Sequence, residues 1–298
     1  MNNIKSNFSI KDLENLSGVK AHTIRIWEKR YNLLKPNRTD TNIRYYSLES
    51  LQKLLNITFL YNNGFKISKI AKINDLDIAD TVRDLSSKAY ADDHAINMLK
   101  LAMLNFDKEL FLNTYDNLLQ HKDFSEIFME VFIPLMSEIG FLWQTNTITP
   151  AQEHFISELI KQKLLVNIEN CTLKAIKNKD KNFVLFLPNN EIHDLGLHFL
   201  NYKLTKANHH TLYLGPSVPI VSLKDVLKHH KNIIFISYFT VKPETENIEN
   251  YLKEFHDELL NNGNELWIFG RMANNIDNSK LPKTIKAFHS VNDLDKYI

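Results

Sequence analysis

Two groups of residues carry side chains at spacings fit for chemistry. The first is Glu191-Ile192-His193-Asp194-Leu195-Gly196, an imidazole between two carboxylates with a glycine three residues further on. A neutral imidazole is a ligand for a transition metal, and a carboxylate beside it can fix the ring and tune its basicity. A glycine at that distance lets the main chain approach a large bound group closely. The second group is cationic: Arg25, Arg38 and Arg44, with polar His22 and with Tyr46, in a stretch that is basic throughout. Residues 1 to 75 hold thirteen Lys and Arg against six Asp and Glu, a balance of +7, while the remainder balances to −6. A basic segment joined to a mildly acidic one is the electrostatic outline of a protein that touches polyphosphate at one end. Long cationic side chains on a helix suit phosphates and the edges of bases.

The elements that must position these residues follow from pattern. Ser9 reads as the N-cap of a helix from Ile10 to Leu16, Ser17-Gly18-Val19 as a turn, and Ala21 to Tyr31 as a second helix. Ile24 and Trp27 have core spacing on that second helix, which turns Arg25 outward. Lys35 to Tyr46 offers two short extended runs around an Asp40-Thr41-Asn42 turn, a small wing. Ser47 caps a third helix that stops near Asn63-Gly64, and a short fourth follows through Ile70 and Ile73. From Thr81 to Asn178 the apolar periodicity is helical and predicts a four-helix bundle. From Phe183 short apolar runs (Phe183 to Leu187, Thr211 to Leu214, Ile233 to Ile236, Leu266 to Phe269) alternate with amphipathic helices, the signature of a doubly wound parallel sheet. The expected fold class is therefore multidomain α and α/β: a winged helix-turn-helix over 1–78, a helical bundle over 82–178 and a Rossmann-like sheet domain over 182–298, with the lysine-rich Lys174 to Lys181 as linker.

Composition narrows the classes further. The single cysteine, Cys171, can build neither an internal disulfide nor a thiolate metal site, which points to a reducing cytoplasm. The N-terminus lacks the apolar core of a signal peptide, and no apolar run approaches the roughly 18 residues of a membrane span. His209-His210 and His229-His230 are expected at exposed helix ends and loops, without a functional role.

The stretch from Thr23 to Arg38, followed by Arg44-Tyr45-Tyr46-Ser47, closely resembles the MerR family of regulators. That resemblance implies double-stranded DNA as partner, Arg25 in the major groove with His22 beside it, and Arg38 and Arg44 on phosphates with Tyr46 in support. It also implies a homo-oligomer, dimer or tetramer, bound to inverted repeats. Trp143, nine residues, then Glu153-His154, with Glu191-x-His193-x-x-Gly196 downstream, resembles the cobalamin-binding module of the light-sensing, carotenogenesis-repressor branch of that family. The resemblance implies His193 as axial cobalt ligand and Asp194 or Glu191 orienting it. It places Gly196, Ser237 and Gly270 along the nucleotide tail, and Trp143 with Glu153 and His154 over the upper face. The implied cofactor is cobalamin, as adenosylcobalamin. The chain departs from the pattern at Arg271, at Tyr238-Phe239 after Ser237, and at Gln144, where light-sensing members carry a histidine.

Two functions stand. One is a transcriptional regulator, a repressor gated by cobalamin through oligomeric state. The other is a cobalamin-independent regulator whose C-terminal module docks a protein partner such as an antirepressor. A corrinoid methyltransferase or mutase subunit would need a catalytic domain, whereas the N-terminal residues are spent on the winged helix, so no enzymatic activity is expected.

Overall fold

Local sequence sets the first elements. Ser9 Oγ accepts the Asp12 N–H at 3.1 Å while the Asp12 carboxylate accepts the Ser9 N–H at 2.8 Å, a reciprocal cap that starts helix α1, Ile10–Ser17. Gly18 ends it in the left-handed conformation. Helix α2 runs Ala21–Tyr31 and stops at Asn32, also left-handed. A two-stranded wing follows, β1 Asn37–Arg38 antiparallel to β2 Arg44–Tyr45. Helix α3, Leu48–Asn62, is capped by Ser47, and α4, Ile67–Ile70, is one turn long.

The structure is a computed structural model that describes residues 7–39, 41–86, 91–172, 178–260 and 263–298. The expected wing turn includes Asp40, which lies outside the described residues, as does half of the expected linker, residues 174–177. The chain forms two compact units, Met1–Ile160 and Lys161–Ile298.

In the first unit α5, Asp75–Ser86, bridges the expected boundary between helix-turn-helix and bundle with continuous helix. The bundle comprises α6 Ala91–Asn105, α7 Lys108–Leu119, α8 Phe124–Ile127 running through a π-helical turn into α9 Ile133–Gln144, and the start of α10 Pro150–Thr172. Pro134 has no N–H for residue 130, and the widened turn at Phe128–Phe132 directly precedes it. The helix-turn-helix and bundle share one unit because polar bonds join them: Asn15 Nδ2 donates to Thr147 Oγ1 at 2.9 Å, and Lys100 Nζ to the Leu16 carbonyl at 3.3 Å.

The second unit is a five-stranded sheet of β3 Asn178–Phe186, β4 His209–Gly215, β5 Ile233–Tyr238, β6 Glu265–Phe269 and β7 Ile285–Ala287, in the order β4-β3-β5-β6-β7. Every pairing is parallel. Helices α11 Leu195–Lys206, α12 Ile220–Leu227 and α13 Ile248–Leu259 connect the strands. Alternation along β3 sends Phe183 and Leu185 into one core with Leu197 and Leu200, and Val184 and Phe186 into the other with Leu223 and Phe255. The chain leaves β3 for β4 on one side and reaches β5 on the other, so the loops after β3 and β5 part at the topological switch point, where sheets of this kind bind ligands. The Glu191–Gly196 segment is the loop after β3. Strand β7, three residues long, is too short to show in the apolar pattern.

Candidate nucleic-acid interface and cofactor site

On α2 the buried face is Ile24 and Trp27, while His22, Arg25, Ile26, Lys29 and Arg30 are exposed. Arg38 and Arg44 are exposed on the wing, and the Arg38 guanidinium is held by Asn42, 2.6 Å to its side-chain oxygen. Tyr46, expected in support of the wing arginines, is 0% exposed. Its main chain pairs with Phe8, and its hydroxyl donates to the carboxylate of Glu28 on α2. Burial and the Glu28 carboxylate push the phenol well above its usual pKa, so it keeps its proton, while the charges of Arg44 and Arg25 act the other way. Tyr46 is thus a strut between recognition helix and wing, which brings those two guanidinium groups into one electrostatic neighbourhood.

Of the bundle residues singled out, Trp143 near the end of α9 is 54% exposed. His154 is exposed at the start of the second turn of α10, with Nε2 3.3 Å from Glu153.

In the second unit the loop after β3 is organised by Glu191, whose side chain is 1% exposed. Its Oε1 accepts the N–H groups of Ile192 at 2.9 Å and His193 at 3.0 Å, and lies 2.6 Å from His193 Nδ1. Its Oε2 accepts the N–H groups of Val241 at 2.7 Å and Lys242 at 2.8 Å, in the loop after β5. Burial alone would raise this carboxyl, but the hydrogen bonds from His193, Lys242 and Val241 outweigh it and hold the pKa at about 2. Glu191 therefore fastens the two loops of the switch point together and fixes His193, whose side chain is 55% exposed. Asp194 does not orient that ring; it accepts from Lys161 at 2.5 Å and pairs with His198 at 3.4 Å.

Two expected tail residues have other employment. Ser237 is fully buried and its hydroxyl donates to the Phe186 carbonyl at 3.0 Å, tying β5 to β3. Gly270 has φ of 98°, and a Cβ there would run into the main chain of Phe239, so the glycine answers a close chain crossing. Arg271 is exposed. His209 and His210 are half-buried strand residues of β4 rather than exposed ones, with Phe183 edge-on to His209 at 5.1 Å. Strand propensity of the flanking Thr211 to Leu214 run extends over them.

The donor set suits a cobalt-bearing cofactor in one respect. Among the described residues no group of three or more His, Cys, Asp or Glu could hold a metal ion, so a metal at His193 would have to bring its other ligands with it, as a corrin does. The groove beside Gly196 is filled in this conformation: a Cβ on Gly196 would overlap the ring of Tyr238, which lies directly against it. The imidazole of His193 fits such a group, whereas the Tyr238 ring takes up the space beside Gly196.

Comparison with known proteins identifies two parts of the chain. Residues 8–76 match the family described as MerR HTH family regulatory protein. The N-terminal segment is a MerR helix-turn-helix domain. Behind the MerR domain, residues 95–166 match the B12 binding domain family, so the helical bundle belongs to that module. The transcriptional repressor CarH of Myxococcus xanthus is 26% identical over 87% of this chain and 87% of its own, and the repressor CarA of the same organism is 21% identical over 80% and 78%. The monomethylamine corrinoid protein of Methanosarcina barkeri superposes with a TM-score of 0.55 at 12% identity, over 69% of this chain and 97% of its own, which extends the fold likeness beyond the MerR domain.

No helix among the described residues is long and apolar enough to cross a membrane. Sequence reading passes over Lys100, Lys161 and Glu28. Lys100 alone leaves a signal, a lone cation within the apolar run Met98-Leu99-Lys100-Leu101-Ala102.

Proposed function

We propose that the protein is a cytoplasmic, sequence-specific DNA-binding transcriptional repressor, with no enzymatic activity, in which cobalamin sets the oligomeric state and so the strength of DNA binding. The observation that carries this reading is that a cationic recognition helix and an imidazole locked by a buried carboxylate belong to one chain, itself aligned over 87% of its length with a transcriptional repressor. In this reading Arg25 and His22 face the major groove and Arg38 and Arg44 take phosphates, while Tyr46 holds the wing to the helix. A single module of this kind reads few base pairs, so two or four copies act on inverted half-sites.

Cobalamin, when bound, would supply a cobalt centre able to take an imidazole ligand. His193 would be that ligand, Glu191 would keep its ring oriented and basic, and Trp143, Glu153 and His154 would contribute from the helical bundle. Adenosylcobalamin is the form proposed. For gating, the cofactor must contact two oligomeric arrangements differently, since equal contact shifts nothing.

The test is the visible spectrum of the full chain after incubation with adenosylcobalamin in the dark and desalting, beside His193→Ala. Corrin bands that survive desalting in the wild type, and weaken or shift in the variant, are the expected result. A colourless protein in both cases overturns the cofactor and leaves the second reading, a cobalamin-independent regulator whose C-terminal unit docks an antirepressor protein. The specific observation favouring that alternative is the Tyr238 ring lodged against Gly196.

A further inference from the structure

One large aliphatic side chain lies uncovered on the recognition helix. Ile26 is 51% exposed, and its companions on that face, His22, Arg25, Lys29 and Arg30, are all polar or cationic. At roughly 100° per residue, Ile26 projects within the exposed arc that Arg25 and Arg30 bound, about 40° from Arg30 and about 160° from buried Ile24. An apolar group ringed by cations is a poor seat for an apolar protein surface, because docking one there would strip water from the charges around it. The same ring attracts a polyanion. The major groove of duplex DNA offers one apolar feature among its donors and acceptors, the 5-methyl group of thymine.

We propose that Ile26 is a specificity-determining residue that reads a thymine methyl group in the major groove. The assignment rests on the DNA-binding reading above and adds to it which base is read without a hydrogen bond. Arg25, Lys29 and Arg30 bring the helix to the duplex, and Ile26 distinguishes thymine from the other pyrimidine at one position of each half-site. Ile43 is also exposed, but it stands on the wing between the strands rather than on the helix, and makes a matched control.

The experiment begins with duplexes selected from a random pool by the full chain. Each thymine of the selected site is then replaced in turn by deoxyuridine, which differs only by the missing methyl. At one thymine per half-site the replacement is expected to weaken wild-type binding about fourfold, the transfer value of one buried methyl group. Ile26→Ala should lose that penalty at that thymine alone. Ile43→Ala should keep it. Thermal melting of Ile26→Ala should match the wild type, since the side chain lies on the outer arc of the helix rather than in the domain core. Equal deoxyuridine penalties in wild type and Ile26→Ala at every thymine overturn the proposal. A change in oligomeric state with those penalties equal would reassign Ile26 to a contact between copies. Failure to select any duplex would overturn the DNA-binding reading itself, and with it the assignment of Ile26.

Discussion

The ammonium of Lys100, in the middle of α6, lies 3.3 Å from the main-chain carbonyl oxygen of Leu16, in the last turn of α1. The same ammonium is 2.7 Å from the carboxylate of Glu138 on α9. The last turn of α1 carries carbonyl groups without intrahelical partners, and a cation there is favoured by the helix dipole. One buried lysine thus fastens the first helix of the MerR domain to two helices of the bundle, next to the Asn15–Thr147 bond.

Lys100→Ala should therefore destabilise the first unit by about 1–3 kcal/mol, the cost of leaving a buried acceptor unpaired and losing a charge-assisted bond. Lys100→Met should cost less, because the aliphatic stem still packs. Glu138→Gln keeps an oxygen that can accept from Lys100 but removes the counter-charge of an ammonium only 7% exposed, so it should also destabilise, by less than Lys100→Ala. Urea unfolding followed by tryptophan fluorescence ranks the three, and a neutral Lys100→Ala would show that the domains are joined by packing alone.

Glu191 gives a pH signature. Its carboxyl is held at about 2 against an ordinary 4.5, so the ionised form is favoured by folding. A depressed folded-state pKa contributes stability that is complete above the unfolded value and is lost as pH falls through the folded one. The wild type should exceed Glu191→Gln by on the order of 3 kcal/mol at neutral pH, with that margin flat above about pH 5 and shrinking between 4.5 and 2. Acid-unfolding curves of the two proteins measure it. A margin independent of pH across that window would mean that the Glu191→Gln variant loses only shape, and that the hydrogen bonds from Val241, Lys242 and His193 do not depend on charge.

What the sequence makes legible is whatever local chemistry decides. Ala21 to Tyr31 can be bounded because Asn32 ends it and Ile24 and Trp27 mark its inner face. The parallel sheet can be inferred because strands buried on both faces read as unbroken apolar runs. Side-chain direction is hidden for the same reason: Ser237 follows Ile233 to Ile236, all buried, in one strand, so alternation gives no clue that its hydroxyl bonds to Phe186. Gly270 signals a special backbone, but its partner, Phe239, comes from another strand end that no local pattern specifies. Tyr46 groups with the wing arginines because it adjoins them in sequence, whereas the pairing of Phe8 with Tyr46 turns its ring inward to Glu28. The expected division between 78 and 82 falls inside α5, where the chain passes from one domain to the next without leaving the helix.

Tyr238 and Gly196 supply the test that joins fold to cofactor. The ring of Tyr238 occupies the place where a Cβ on Gly196 would stand, so Gly196→Ala should be strongly destabilising by overpacking, about 1–3 kcal/mol. Adding Tyr238→Ala should restore most of that loss, since the new methyl group then meets the space the ring vacated. Thermal melting of the single and double variants reads this coupling with no cofactor present, and additive losses would show that the ring and the glycine do not share one space. On the proposed cofactor reading, the same Tyr238→Ala variant, left as glycine at 196, should retain a larger fraction of adenosylcobalamin after desalting than the wild type, because the partly buried ring no longer fills the space beside Gly196. Unchanged retention alongside strong thermal coupling would mean that the tail does not enter between α11 and β5, and would return His193 to the role of a loop residue fixed by Glu191.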